Sequence, residues 1–222
     1  MIKLSPPVDL IKKSVNIFAK KENLLFLVKI YTPVAFFSVI YIAQSYLPDS
    51  IVSSNSVWLV IGAGVVQILN LLTSIFVTVS GIIALGEVVS GGKLSVGRIY
   101  KKAWKNYWTL LLLSITLAVI YLFGFIFLIV PGMLFVVWFA FSRFMAVEKG
   151  FGVREALIRS KELVKGVYWK ILGRLIVFGV FAVIVQMVLS VIPYGGGSVV
   201  GSLFGGLYML PLFLLYKELD AS

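Results

Sequence analysis

The sequence has no histidine and no cysteine. Their absence excludes His-dependent nucleophilic triads, thiolate chemistry, haem ligation by either residue and Cys/His zinc sites. It also excludes disulfides, so cysteine usage carries no information on redox compartment. Acidic residues are scarce, 9 against 20 Lys+Arg, and charged residues make up only 13% of the chain. What dominates is apolar: 60% of the 222 residues are hydrophobic. A soluble globule of this size cannot hide so much apolar surface, so the natural solvent for this chain is lipid.

About 20 apolar residues cross the hydrocarbon core as a helix. Six segments meet or approach that length: Leu24–Leu47, Val57–Leu85, Trp108–Val130, Met133–Val147, Trp169–Ile192 and Val199–Tyr216. The fourth reaches only about 22 Å at helical rise and calls for a thinned bilayer or a shallower hairpin with its neighbour. Val130-Pro131-Gly132 divides the third span from the fourth, because proline cannot continue the ladder and glycine permits a tight reversal. The first run exceeds a signal-peptide core and lacks a small-residue cleavage site, so it reads as a retained span. The expected fold is an all-α polytopic bundle forming one integral membrane domain over 1–222.

The cations fall on one side of this threading. They cluster before span one, between spans two and three, between spans four and five, and after span six. The alternate connections, around Pro48–Ser56 and Pro193–Ser198, carry none. By the positive-inside rule both termini are expected in the cytoplasm, in the cell (plasma or inner) membrane. Tyr107-Trp108 and Tyr168-Trp169 then mark the inner headgroup layer, with Tyr46, Trp58 and Tyr194 near the outer one. A pI near 9.8 also invites nucleic-acid binding. The basic residues sit in short segments between spans, so no nucleic-acid partner is expected.

Three basic segments have helical periodicity. In Ser95–Tyr107 the apolar face is Val96, Ile99, Tyr100, Ala103, Trp104 and Tyr107. In Val153–Val167 it is Val153, Ala156, Leu157, Ser160, Leu163, Val164 and Val167. Val8–Lys21 is looser, with Val8, Ile11, Val15 and Phe18 expected inward. Such helices lie in the interface plane, apolar face in lipid or against the bundle and basic face in water. Each precedes two spans, and Ser14, Ala103 and Ser160 fall at comparable places. Two readings stand: three copies of one unit (interfacial helix, span, span), or connectors that become amphipathic simply because they lie on the inner face.

Val130-Pro131-Gly132-Met133, followed by Glu148, Ala156-Leu157-Ile158-Arg159-Ser160, Lys165-Gly166 and Trp169, resembles a broad group of poorly characterised prokaryotic membrane proteins. The group includes YciC-like proteins and the membrane domain of some glycerophosphoryl diester phosphodiesterases. The resemblance covers roughly Gly81 to Tyr216. It implies a six-helix membrane domain and no catalytic residue.

Three groups of residues stand out as candidate sites. Lys29, Arg143 and Arg174 are charges inside spans. They either snorkel to the nearby interface or form a basic inner pocket for an anionic headgroup, with Glu87 and Glu148 as counter-charges. Gln67, Asn70, Ser74 and Thr78 share one stripe of span two, with Gln186 of span five as a candidate partner. They serve either interhelical bonding or a substrate path. Gly197, Gly201 and Gly205 permit close helix approach, within the chain or in a homodimer. No metal, cofactor or catalytic constellation can be assembled. The expectation is a non-enzymatic membrane protein engaging anionic lipid or a protein partner at its cytoplasmic face. The alternative is a permease-like protein for an amphiphilic or lipid-like substrate.

Overall fold

The computed structural model describes all residues except 1–3, 46–56, 93–94, 128 and 222. The described residues form ten helices and no strand. In chain order these are α1 (Pro7–Ala19), α2 (Lys21–Ser45), α3 (Val57–Ser90), α4 (Val96–Phe127), α5 (Ile129–Trp138), α6 (Ser142–Glu148), α7 (Val153–Val164), α8 (Tyr168–Ser190), α9 (Gly196–Leu203) and α10 (Gly205–Asp220). Six stretches are long and apolar enough to cross a membrane: Lys21–Ile40, Ile61–Ser90, Val96–Ile126, Pro131–Glu148, Tyr168–Ser190 and Gly196–Asp220. The chain is an all-α polytopic bundle.

Several boundaries differ from the sequence reading, for local reasons. The basic segment Ser95–Tyr107 is not a separate interfacial helix. It runs unbroken into span three as the 32-residue α4, because no glycine or proline occurs from Arg98 to Phe123. By contrast, extended Lys20 separates α1 from α2. Gly166, at φ 83°, helps turn the chain between α7 and α8. Pro131 and Gly132 lie inside the first turn of α5 rather than at the reversal, since α4 ends at Phe127 and α5 begins at Ile129. A proline is tolerated there because a first-turn N–H has no helical acceptor. Gly132 serves close approach instead: a Cβ would stand 2.6 Å from the Phe125 ring. Span four is itself divided into α5 and α6.

The amphipathic segments pack by one rule. Each buries a stripe at i, i+4, i+8: Leu10, Ser14 and Phe18 in α1; Ile99, Ala103 and Tyr107 in α4; Ala156, Ser160 and Val164 in α7. Each stripe lies against the second span of a pair of spans, the pair before it in the chain for α4 and α7 and the last pair for α1. The α1 stripe meets α10, the start of α4 meets α3, and α7 meets α5 and α6. The three pairs of spans, each with its amphipathic segment, therefore close into a ring. For α1 the buried face differs from the expected one: Val8 is 53% and Val15 40% exposed. Apolar periodicity does not separate core from lipid when both are apolar, and the inward row here is centred on a serine. Trp104 is likewise 62% exposed, with one face stacked on Tyr107 at 5.7 Å.

Burial is concentrated at the basic ends of the spans. It includes Phe26 to Ala35 in α2, Val77 to Leu85 in α3, Ile99 to Leu117 in α4 and Leu210 to Leu219 in α10. In α8 only Ile171 and Phe178 are buried. The far halves present apolar side chains such as Ile61, Val65 and Ile68 of α3 and Val183, Met187 and Val188 of α8. That surface suits hydrocarbon and would be costly in water. Tyr31 of α2 wedges between α3 and α10, its hydroxyl against Gly81 and its ring against Gly205. Neither glycine has room for a Cβ.

Candidate functional site

The second spans, α3, α5–α6 and α10, meet at their basic ends. Both α6 and α10 touch α3. Between α6 and α10, Phe144 faces Phe213 at 5.6 Å and Tyr216 at 5.4 Å. Just beyond this aromatic layer each helix presents a charged residue at its last or penultimate turn: Glu87 from α3, Glu148 from α6 and Lys217 from α10. They border one cavity of about 330 Å³, with Lys102 of α4 and Lys149 on its wall. Gly86 and Ser90 complete its α3 side.

The charges are partly paired. Lys217 Nζ donates to Glu148 Oε2 at 2.6 Å, and the Glu148 side chain is only 14% exposed. The same ammonium lies over the Phe213 and Tyr216 rings at 5.3 and 5.7 Å, which adds cation–π attraction. Lys149 turns away to Asp220 at 2.8 Å. Its hydrogen bond to that carboxylate holds the ammonium above the ordinary lysine value. Glu87 and Lys102 have no ion pair among the described residues. Glycines make room for both carboxylates: a Cβ on Gly86 would approach Glu148 Oε1 to 3.1 Å, and one on Gly92 would run into the Glu87 carboxylate.

The sequence-derived pocket is thus brought together only in part. Glu87 and Glu148 share the cavity, but its cations are Lys102, Lys149 and Lys217, not Lys29, Arg143 and Arg174. Arg174 is committed elsewhere. Its guanidinium donates to the Ser5 carbonyl at 2.8 and 3.1 Å, to Leu4 at 3.0 Å and to Lys170 at 2.8 Å. It ties down the segment ahead of α1, which Glu218 holds by accepting from the Ser5 hydroxyl at 2.5 Å. Lys29 and Arg143 are exposed. The cations not singled out in the sequence, Lys102, Lys149 and Lys217, lie near helix ends, and the matched end positions of Glu87, Glu148 and Lys217 were the available signal.

The two hydroxyls of the polar stripe are satisfied locally. Ser74 Oγ donates to Leu71 O and Thr78 Oγ1 to Ser74 O, both at 2.8 Å. Gln67 is exposed and Asn70 half-buried. No hydrogen bond among the described residues joins Gln186 to the stripe. Its amide oxygen lies 2.9 Å from where a Gly201 Cβ would stand. The three glycines serve packing inside the chain: Gly197 against the Leu189 carbonyl, Gly201 against Gln186 and Gly205 against Tyr31. A larger hollow, about 550 Å³, follows the exposed face of α7. Its charges belong to one helix, Arg159 and Glu162 pairing at 3.1 Å, so it gathers nothing from other elements.

Ser160 is a positioning residue that the sequence marks only as the middle of a stripe. Its hydroxyl donates to Trp138 O at 2.7 Å and accepts from the Phe141 N–H at 3.2 Å. Those are backbone groups of the break between α5 and α6, so α7 holds the bend that aims Glu148 at the cavity. Lys161 adds a cation–π contact on Trp138, 4.3 Å from the ring centre.

The chain matches no family model, no curated protein and no solved structure.

Proposed function

We propose that this chain is a non-enzymatic integral membrane protein of the plasma or inner membrane, with its basic end and both termini in the cytoplasm, that gathers anionic lipid in the inner leaflet. The observation that supports this is the outward display of cations by all three amphipathic segments around one end. Lys12 and Lys13 of α1 are exposed, as are Arg98, Lys101 and Lys105 of α4, and Arg154, Lys161 and Lys165 around α7. Each such cation near an anionic leaflet is worth about 1 kcal/mol, within a Debye length of about 8 Å at physiological ionic strength. The permease reading has less support, because the hydroxyls of the span-two stripe are already used within their own helix.

Two measurements test the reading. The cysteine-free sequence allows single cysteines at positions 161 and 198 without background. An impermeant thiol reagent on intact cells should label 198 and spare 161. The protein purified in mild detergent should retain phosphatidylglycerol at low salt and lose most of it at high salt, read by native mass spectrometry. Labelling of position 161 from outside, or retention unaffected by salt, overturns the proposal.

A further inference from the structure

We propose that the cavity between α3, α4, α6 and α10 binds a headgroup carrying one phosphate and one ammonium, of the phosphoethanolamine type. This rests on the reading above only in placing the basic end at a headgroup layer. Its ligand differs from the anionic lipid gathered by the outer cations.

The argument is one of uncommitted charge. Five charged side chains face the cavity: Lys102, Lys149, Lys217, Glu87 and Glu148. Lys217 and Glu148 neutralise each other at 2.6 Å, and Lys149 is neutralised by Asp220 at 2.8 Å. One anion and one cation are left, Glu87 from α3 and Lys102 from α4, both lining the cavity and without an ion pair among the described residues. A bare anion would gain Lys102 but meet Glu87; a bare cation would face the reverse. A ligand with both charges satisfies both, its phosphate on Lys102 and its ammonium on Glu87 through charge-assisted hydrogen bonds. The space also fits. About 330 Å³ lies at the lower end of small-molecule pockets. Gly86 and Gly92 preserve it, because a side chain at either would displace a carboxylate. Ile83 and Val147 supply the apolar part of its lining.

The test uses the full chain in neutral detergent, with binding read by titration calorimetry. The probes are short-chain phosphatidylethanolamine, short-chain phosphatidylglycerol and free phosphoethanolamine. Saturable binding of phosphatidylethanolamine is expected, about tenfold weaker in Glu87→Gln, where a charged contact becomes a neutral one. Phosphatidylglycerol binding should be unchanged in Glu87→Gln. Lys102→Gln, at an exposed position, should weaken phosphatidylethanolamine binding by a similar factor and carries the test if Glu87→Gln does not fold. Arg98→Gln, outside the cavity, should leave phosphatidylethanolamine binding intact. Competition by free phosphoethanolamine supports the site and assigns recognition to the headgroup alone. Binding of the lipid without such competition supports it with the acyl chains required. Equal wild-type affinity for the two lipids, or folded variants at both positions with unchanged affinity, overturns the proposal. Loss of the salt-dependent phosphatidylglycerol retention alone would overturn the preceding reading and leave this one standing.

Discussion

Replacing Ser160 by alanine should be among the costlier single-atom deletions in this protein. Between α5 and α6 the ladder tightens: Ala140 N–H bonds Val137 O at 3.4 Å and Ser142 N–H bonds Phe139 O at 3.2 Å. Those shifts take the usual partners away from Trp138 O and Phe141 N. The Ser160 hydroxyl, fully buried, serves both. Alanine leaves a buried donor and a buried acceptor without partners, at about 1–3 kcal/mol each, so about 2–6 kcal/mol together. The contrast is Ser14, its counterpart in α1, also fully buried. Its hydroxyl bonds only Leu10 O, four residues back in the same helix. Such a bond supplements a carbonyl already in the helical ladder, and alanine is the better helix former, so Ser14→Ala should cost no more than about 0.5 kcal/mol. Reversible denaturation in mixed micelles, titrated with a denaturing detergent, measures both. If Ser160→Ala shifts the midpoint no more than Ser14→Ala, the hydroxyl is not what holds the break, and the account of how Glu148 is aimed fails with it.

Tyr31 offers a paired test of packing: its hydroxyl is buried without a hydrogen-bond partner among the described residues. Tyr31→Phe should stabilise by up to about 1 kcal/mol, whereas Gly205→Ala, whose methyl would enter the Tyr31 ring, should destabilise by about 1–3 kcal/mol; a destabilised Tyr31→Phe in the same titration would show that the hydroxyl is bonded. The ring of units makes a topological prediction as well. Because Ser5 contacts Glu218 and every unit begins and ends at the basic end, a circular permutant joined there and opened between Gly150 and Gly152 should fold with unchanged cysteine accessibility, and failure to obtain a monodisperse permutant with any of several linkers would refute the ring.

The parts of this structure that were legible in the sequence are those fixed by composition along one segment. Apolar length specifies six spans whatever their neighbours do, because an unsatisfied backbone in hydrocarbon is costly. The α7 face was legible for a similar reason: its charges are dense, so the buried row of Ala156, Ser160 and Val164 had only one place to go. The α1 face was not, since Val8 and Val15 are apolar and yet exposed. In a membrane, apolar character allows two destinations, lipid or core, and the choice falls to small residues that permit close approach.

The candidate site shows the same limit in its charges. Lys29, Arg143 and Arg174 attract notice because each lies within an apolar run, where a charge is expensive. Cost alone does not make a site, and Arg174 is consumed by the carbonyls of Leu4 and Ser5. Lys102, Lys149 and Lys217 look ordinary, each near a helix end and outside the apolar runs. They converge because three second spans meet at their basic ends, a relation between segments far apart in sequence. Hydropathy along one segment does not encode it. What does encode it is the recurrence of a charged residue near the end of each second span, Glu87, Glu148 and Lys217, with the sign changed in the third. That change of sign lets Lys217 pair with Glu148 and leaves Glu87 and Lys102 as the lining charges without an ion pair among the described residues. Restoring the recurrence with Lys217→Glu would place three carboxylates at one cavity, with Lys102 as its one cation that has no ion pair among the described residues, so the proposed binding of a doubly charged headgroup depends on Lys217 keeping Glu148 neutralised.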